Sequence, residues 1–399
     1  MKFVDKARKA FALLLIICAS SILFAKPVVT KPTDDLARIH KAVQAKLDEM
    51  HAAAPDFPGM TIGFVLPDGR SASVATGLAD VENKITLKPT DKMLAGSIGK
   101  TYCAAVVMQL VQSGKLNLDE KIEHWFGKDA WFPRLPNGKD ITVRMLMNHT
   151  SGLAEYYPLK GFMDRVHKEP DRAWKPEELI ECVLDGQALF PAGKGWSYAD
   201  TNFILVGMIV ERITGNGIYT EEEKRLLKPL KLTRTIPSTA RTLPGVIPGY
   251  ASTSRIFGFE GRSIIDGKFV FNPQFEYTGG GYASTAEDLA RWAKDLYECK
   301  VFNKEMLAQM VDAVPAKTGR GDKYGLGVQV RESNFGISYG HGGWFPGYLS
   351  EMEYFPDYKI AIALQVNTDA QRKLKKGMRA YIADVAAIVV GKDTTKTGD

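Results

Sequence analysis

The chain has 399 residues, 45% hydrophobic and 25% charged, the proportions of an ordinary globular protein, which exclude a disordered or fibrous one. That length exceeds one small core and implies two domains, or one domain with a large insertion. A net charge of +6, scattered along the chain, is too small and too dispersed for a nucleic-acid partner.

Lys2, Lys6, Arg8 and Lys9 precede an apolar run from Ala10 to Ile17, and Ser20, Ser21 and Ala25 are small residues beyond it. This pattern reads as a secretory signal peptide over residues 1–25, cut after Ala25, which places the protein in the periplasm or outside the cell. An uncleaved anchor is the alternative, but the apolar run is too short to favour a permanent span. Cleavage would remove four positive charges and one negative, leaving the chain at +3. The remaining Cys103, Cys182 and Cys299 are odd in number and scattered, and the six histidines show no ligand spacing, so no metal and no cofactor are expected.

Pro32-Thr33-Asp34-Asp35 opens a helix with Leu36, Ile39, Val43, Leu47 and Met50 on one face. Met60 to Leu66 and Arg70 to Thr76 are strands joined by a turn at Pro67-Asp68-Gly69. A helix follows, with Cys103, Val106, Val107 and Leu110 facing a core and Gly114 at its end. From there to about residue 300, helical patterns alternate with proline-rich and glycine-rich loops. Tyr324 to Val330, Gly347 to Phe355 and Lys359 to Val366 are strands, and a last helix carries Leu374, Met378, Tyr381, Ile382, Val385 and Ile388 on one face. The expected fold is α/β of the α+β kind. An antiparallel sheet from residues 33–110 plus 300–392 is flanked by the terminal helices, a mainly helical domain spans 111–299, and 393–399 form a flexible tail. A site would fall in the cleft between the two domains.

Three motifs carry chemistry. Ser97-Ile98-Gly99-Lys100 places a hydroxyl and an amine about 60° apart on a helix, so the two can meet and the amine can activate the hydroxyl. The spacing alone is common. Tyr198-Ala199-Asp200 offers a phenol that, beside an ammonium, would lose or relay a proton more readily; taken alone, Tyr198 is an aromatic anchor and Asp200 a helix cap. His341-Gly342-Gly343-Trp344, before a strand, would let substrate approach the backbone and aim an amide at a developing oxyanion; taken alone, it is a glycine-rich strand entry.

In this order and spacing the three motifs resemble the serine β-lactamase and penicillin-binding-protein superfamily, in particular its class C β-lactamase, DD-peptidase and esterase branch. The segment Ile141 to Leu153, Pro191-Ala192-Gly193, Leu205-Val206-Gly207, Lys228-Pro229-Leu230 and Gly280 to Leu289 are similar to that family's frame, and the likeness covers about residues 33–390. It implies a β-lactamase/transpeptidase-like fold. It also implies Ser97 as nucleophile, Lys100 as its proton partner, Tyr198 as general acid/base, and an oxyanion hole from the backbone amides of Ser97 and Trp344. Asp200, His341, Gly342 and Gly343 would line the substrate. Two residues depart from the family pattern. Asp200 stands where asparagine is usual, so a carboxylate that favours a protonated Lys100 replaces amide-type hydrogen bonding to the acyl chain; His341-Gly342 stands where Lys-Thr is common, so a titratable imidazole replaces a cation and recognition of a substrate carboxylate weakens.

Other patterns are rejected. Lys317-Thr318-Gly319 and Lys396-Thr397-Gly398 do not open strands, and Gly336-Ile337-Ser338-Tyr339-Gly340 reads as a hairpin turn rather than a nucleophile elbow. Gly99-Lys100-Thr101 is no phosphate loop, because Leu94 occupies the place of the first glycine. His149 and Ser151 read as a structural loop. The expected function is that of an exported serine hydrolase forming an acyl-enzyme on ester or amide bonds, an esterase or D-residue peptidase with β-lactam hydrolysis as a slow side reaction. Its partner would be a small ester, peptide or β-lactam substrate, with no nucleic acid and no stable membrane span. The alternatives are a true class C-like β-lactamase or DD-carboxypeptidase, and a non-enzymatic penicillin-binding sensor or scaffold.

Overall fold

The structure, a computed structural model, describes residues 32–392 apart from 255–256 and 318–321. The leader and the tail after Lys392 lie outside the described residues. Helix α1 spans Pro32–Ala53, and strands β1 (Gly59–Val65), β2 (Ser71–Asp80) and β3 (Ile85–Thr86) follow. A 3-10 turn, Gly96–Gly99, runs directly into α2 (Lys100–Gln112); α3 is Asp200–Thr214 and α4 is Ala286–Tyr297. The C-terminal part contributes β4 (Val314–Pro315), β5 (Lys323–Tyr324), β6 (Gln329–Ser333), β7 (Gly336–Phe345), β8 (Tyr348–Phe355), β9 (Ile360–Val366) and α5 (Met378–Val390).

These strands make one nine-stranded antiparallel sheet in the order β4-β5-β6-β7-β8-β9-β1-β2-β3, so both ends of the chain build it. Its closure is the β1–β9 pairing, with Met60 opposite Val366 and Val65 opposite Ala361. Alternation along these strands decides the layers. Met60, Ile62, Phe64, Ile362, Leu364 and Val366 pack with Ile39, Val43 and Leu47 of α1 and Ile382, Val385 and Ala386 of α5. Val65, Ala361, Ala363 and Met352 belong instead to the core that includes Leu289, Trp292 and Leu296 of α4. The sheet is thus covered on both faces, and β1 is buried along its whole length. Gly63 permits this closeness: a Cβ there would lie 2.3 Å from the Ala286 backbone at the start of α4. Helix α4 therefore packs on the sheet although it lies in the stretch read as the helical block, and that stretch also holds several short strands between residues 236 and 284.

Helix α2 is buried from Lys100 through Met108 and again at Leu110, a core helix rather than a surface one. Tyr102 stacks on Trp292 with ring centroids 4.4 Å apart, and the Trp292 indole N–H donates to Thr101 Oγ1 at 2.7 Å. These contacts tie α2 to α4 and fix where Lys100 starts.

Two sequence expectations need correction. Gly336 to Gly340 is no hairpin turn. It is the first half of β7, and His341-Gly342-Gly343-Trp344 sits inside that ten-residue strand rather than before one. Leu374 is not on the last helix, which begins at Met378; it is buried in the segment leading to it. Cys103, Cys182 and Cys299 are all free thiols.

Candidate active site

Ser97 stands on the 3-10 turn, wedged between β7 and the loop at Gly279–Gly281. Glycines make the wedge possible. A Cβ on Gly99 would lie 1.7 Å from the Gly280 carbonyl oxygen, one on Gly343 would lie 1.9 Å from the Ala95 carbonyl oxygen, and one on Gly96 would lie 2.6 Å from Trp344 N. Backbone therefore meets backbone on both sides of Ser97, and the Trp344 amide is brought up to the turn. The close approach of the turn already demands a glycine at 343.

The ammonium of Lys100, fully buried, donates to Ser97 Oγ at 3.1 Å, to Asp200 Oδ1 at 2.5 Å and to the Gly279 carbonyl. Three donors meet three acceptors, the full capacity of a lysine. Asp200 is the first residue of α3 rather than its cap. Its N–H donates to Glu155 Oε2 at 2.7 Å, and its carboxylate turns to Lys100. The carboxylate at 200 thus supplies the counter-charge that a buried ammonium needs, as expected of a carboxylate in place of the usual amide.

Tyr198 is next to both. Lys100 Nζ lies 4.8 Å from its ring centroid, over the ring face rather than beside the hydroxyl. The phenol oxygen is buried and interacts with Ser97, but it makes no hydrogen bond of normal geometry. Burial and the Asp200 charge push the phenol well above its usual range, outweighing the Ser97 interaction that lowers it. The expected readier loss of its proton is therefore reversed: Tyr198 rests as a neutral acid. His149 stacks against it at 4.3 Å. His149 Nδ1 accepts from Asn202 Nδ2 at 3.0 Å, and Ser151 donates to Asn202 Oδ1 at 2.5 Å, so Asn202 separates the two residues of the apparent dyad.

His341 is 1% exposed. Its Nδ1 lies 2.6 Å from the Gly342 carbonyl, which can only accept, so Nδ1 carries the proton and Nε2 accepts from the Tyr324 hydroxyl at 2.8 Å. Burial, with Lys100 nearby, lowers its pKa to about 3. The expected titratable imidazole is a neutral structural group at physiological pH. The Gly342 N–H donates to the Gln329 side-chain carbonyl at 2.9 Å, and Arg331 both donates to Gln329 and pairs with Glu351 at 2.6 Å.

Ser97, Tyr198, His341, Gly342, Gly343 and Trp344 line one cleft of about 370 Å³. Sequence reasoning missed Glu155, Glu276 and Gly279 around Lys100. Burial and the Asp200 charge raise Glu155 and Glu276 to about 8 each. Trp344 is one of the exposed large hydrophobic side chains, and its ring lies 5.1 Å from Phe257, which lies 5.1 Å from Tyr157, an aromatic wall beside the acidic groups. Among the described residues no group of three or more His, Cys, Asp or Glu is placed to hold a metal ion, and no helix is long and apolar enough to cross a membrane.

The Beta-lactamase family profile matches residues 43–387. The chain belongs to the beta-lactamase family. Its relatives include penicillin-binding protein 4* of Bacillus subtilis (strain 168), 22% identical over 76% of this chain and 66% of that one. They also include the D-aminopeptidase of Brucella anthropi, 22% identical over 78% of this chain and 56% of that one. The chain thus spans less than two thirds of the length of these curated relatives. Among solved structures, the D-stereospecific amidohydrolase from Streptomyces sp. is similar with a TM-score of 0.72 and 27% identity, covering 83% of this chain and 97% of that one. The D-amino acid amidase from Ochrobactrum anthropi SV3, complexed with L-phenylalanine amide, has a TM-score of 0.75 and 25% identity, covering 88% and 99%. The mixed fold with its antiparallel sheet is the fold of this family.

Proposed function

We propose that this beta-lactamase-family protein is an exported serine hydrolase that acts through an acyl-enzyme on Ser97 and prefers amides or esters of D-amino acids. The observation that carries the reading is the buried Lys100 ammonium in contact with Ser97 Oγ at 3.1 Å and Asp200 at 2.5 Å. As Ser97 attacks the carbonyl, its proton passes to Lys100 while Lys100 gives one to Asp200, so the pair takes up one proton without a change in the ammonium. The amides of Ser97 and Trp344 hold the oxyanion. Tyr198, a neutral acid, protonates the leaving nitrogen or oxygen. Its phenolate, with Lys100 over the ring, then takes a proton from the attacking water. Collapse of the second intermediate returns the stored proton to Ser97.

Two features support the substrate class. His341 is neutral where a carboxylate-binding cation is common in the family, which disfavours β-lactams and C-terminal carboxylates. The relatives named above include a D-aminopeptidase and a D-amino acid amidase, and the aromatic wall of Trp344, Phe257 and Tyr157 suits an aromatic acyl side chain. Export rests on the basic and apolar leader. The test is a panel of D- and L-phenylalanine amide, a chromogenic ester and a cephalosporin, with Ser97→Ala as control. D-selective turnover lost in the control supports the reading; turnover surviving Ser97→Ala overturns it. A penicillin adduct that persists in intact-mass spectra, without turnover of any substrate, would mark a sensor instead.

A further inference from the structure

Between β9 and α5 the chain reads Gln371-Arg372-Lys373-Leu374-Lys375-Lys376-Gly377-Met378-Arg379, with five cations in eight positions from 372 to 379. The segment is held at both ends. Upstream, Asp369 accepts the amides of Ser252 at 2.5 Å and Gly347 at 3.1 Å; downstream, α5 begins at Met378. In the middle Leu374, 7% exposed, plugs into the core under the sheet's outer face. That anchor turns its neighbours outward: Arg372, Lys373, Lys375 and Lys376 are all exposed.

Some of this charge is already answered. Lys376 pairs with Asp384 at 2.9 Å, and Arg379 with Asp322 at 3.1 Å and Glu353 at 3.2 Å. Arg372, Lys373 and Lys375 have no carboxylate within ion-pair distance among the described residues. Arg372 and Lys375 line a cavity of about 660 Å³ that shares Glu351, Gln371, Met378 and Arg379 with the cleft holding Ser97. The acidic member of that shared wall, Glu351, is taken up by Arg331 at 2.6 Å. The cleft therefore continues into an arm whose uncompensated charge is positive.

We propose that this arm binds an anionic extension of the substrate, a chain bearing carboxylates or phosphates remote from the bond that is cleaved. The inference rests on the hydrolase reading for its use, but binding in the arm needs no catalysis. A concave groove continuous with the reactive serine suits a chain threaded outward from Ser97. Two unpaired, solvent-facing cations attract such a chain strongly at low salt and weakly at high salt.

The probe is fluorescein-labelled tri-D-glutamate, with tri-D-glutamine as its neutral counterpart, titrated against the Ser97→Ala protein by fluorescence anisotropy at low and at physiological salt. The expected result is saturable binding of the glutamate probe alone, weakened about tenfold in an Arg372→Gln/Lys375→Gln double variant. Both substitutions are on the surface, so circular dichroism should show an unchanged fold. Equal affinity of the two probes, equal affinity of the parent and the double variant, or no binding to the parent each overturns the proposal. Loss of D-amide turnover in the active protein, with probe binding intact, would instead remove the hydrolase reading and leave the arm standing.

Discussion

Replacing His341 by glutamine should remove a defined part of the protein's acid sensitivity. In the native state both ring nitrogens are engaged, one by the Gly342 carbonyl and one by the Tyr324 hydroxyl, so a second proton would reverse the Tyr324 bond, leave that buried hydroxyl without its acceptor and place a charge in a buried site near Lys100. The pKa accordingly falls from 6.5 to about 3. Between these values the unfolded chain binds a proton that the native protein refuses. Stability therefore rises with pH and is lost on acidification, at about 1.4 kcal/mol per pH unit. Across the whole window this amounts to about 5 kcal/mol, and between pH 6.5, where the unfolded histidine is half protonated, and pH 4.5 to about 2.3 kcal/mol. Glu155, Glu222 and Glu276, each raised to about 8, have the opposite slope: they hold protons the unfolded chain has lost, and they stabilise less as pH rises through that range. The wild-type curve alone is thus a mixture, whereas the difference between wild type and His341→Gln isolates the histidine. Urea unfolding at half-unit steps from pH 4.5 to 7 should show the two free energies converging as pH falls, by about 2.3 kcal/mol between pH 6.5 and 4.5. Parallel curves, or a His341 imidazole NMR signal, assigned by its loss in His341→Gln, titrating near 6.5, would refute the neutral, doubly bonded His341.

Tyr198→Phe should lower turnover by about 10²–10⁴ while leaving the melting temperature unchanged or slightly raised, since the hydroxyl it removes is buried without a normal hydrogen bond; a large loss of stability would show that the phenol is structural. Gly99→Ala should destabilise by about 1–3 kcal/mol or more and abolish activity, because its Cβ would lie 1.7 Å from the Gly280 carbonyl oxygen; a normal thermal melt would contradict the close packing. Lys100→Met and Asp200→Asn should each cost about 3–5 kcal/mol by leaving a buried charge unanswered, and the double variant should cost clearly less than their sum. Additive losses in denaturant titrations would mean that the pair is not coupled.

The periodic elements were legible from their residues. The α1 stripe, the β1–β2 hairpin and the last two strands have apolar spacings that no competing structure satisfies as well. The strand carrying His341 was not, because four glycines in a row of ten look like a break. They serve two other purposes: Gly343 admits the Ala95 carbonyl against the backbone, while Gly342 leaves the outer face open for Glu351. A partial signal existed in Gln329 and Arg331 on β6 and Glu351 and Glu353 on β8, charged or polar residues at period two on the strands either side of the glycine-rich β7, which mark a sheet face where Arg331 reaches across to Glu351 and Glu353 rather than one filled by apolar groups. The motifs located Ser97, Lys100 and Tyr198, but nothing local announces Gly279 or Glu276, which reach Lys100 across about 180 residues of chain through a loop with Tyr277 at φ 43°.

The two departures from the family pattern act in the same electrostatic direction. Asp200 adds a negative charge beside Lys100, and His341, held neutral, withholds a positive one in the middle of β7. Together they move the immediate surroundings of Ser97 by about two charges toward negative. A substrate carboxylate close to the scissile bond would meet that change at short range, in a partly enclosed cleft where screening is weak. A substrate amine would gain from it. On the proposed reading, anionic groups are disfavoured only where they lie near the reacting carbonyl, since Arg372 and Lys375, with no carboxylate partner among the described residues, stand at the far arm of the same cleft. On that reading, substrates are sorted by where their charges are placed as well as by how many they have: cationic or neutral at the acyl group, anionic only at a distance from it.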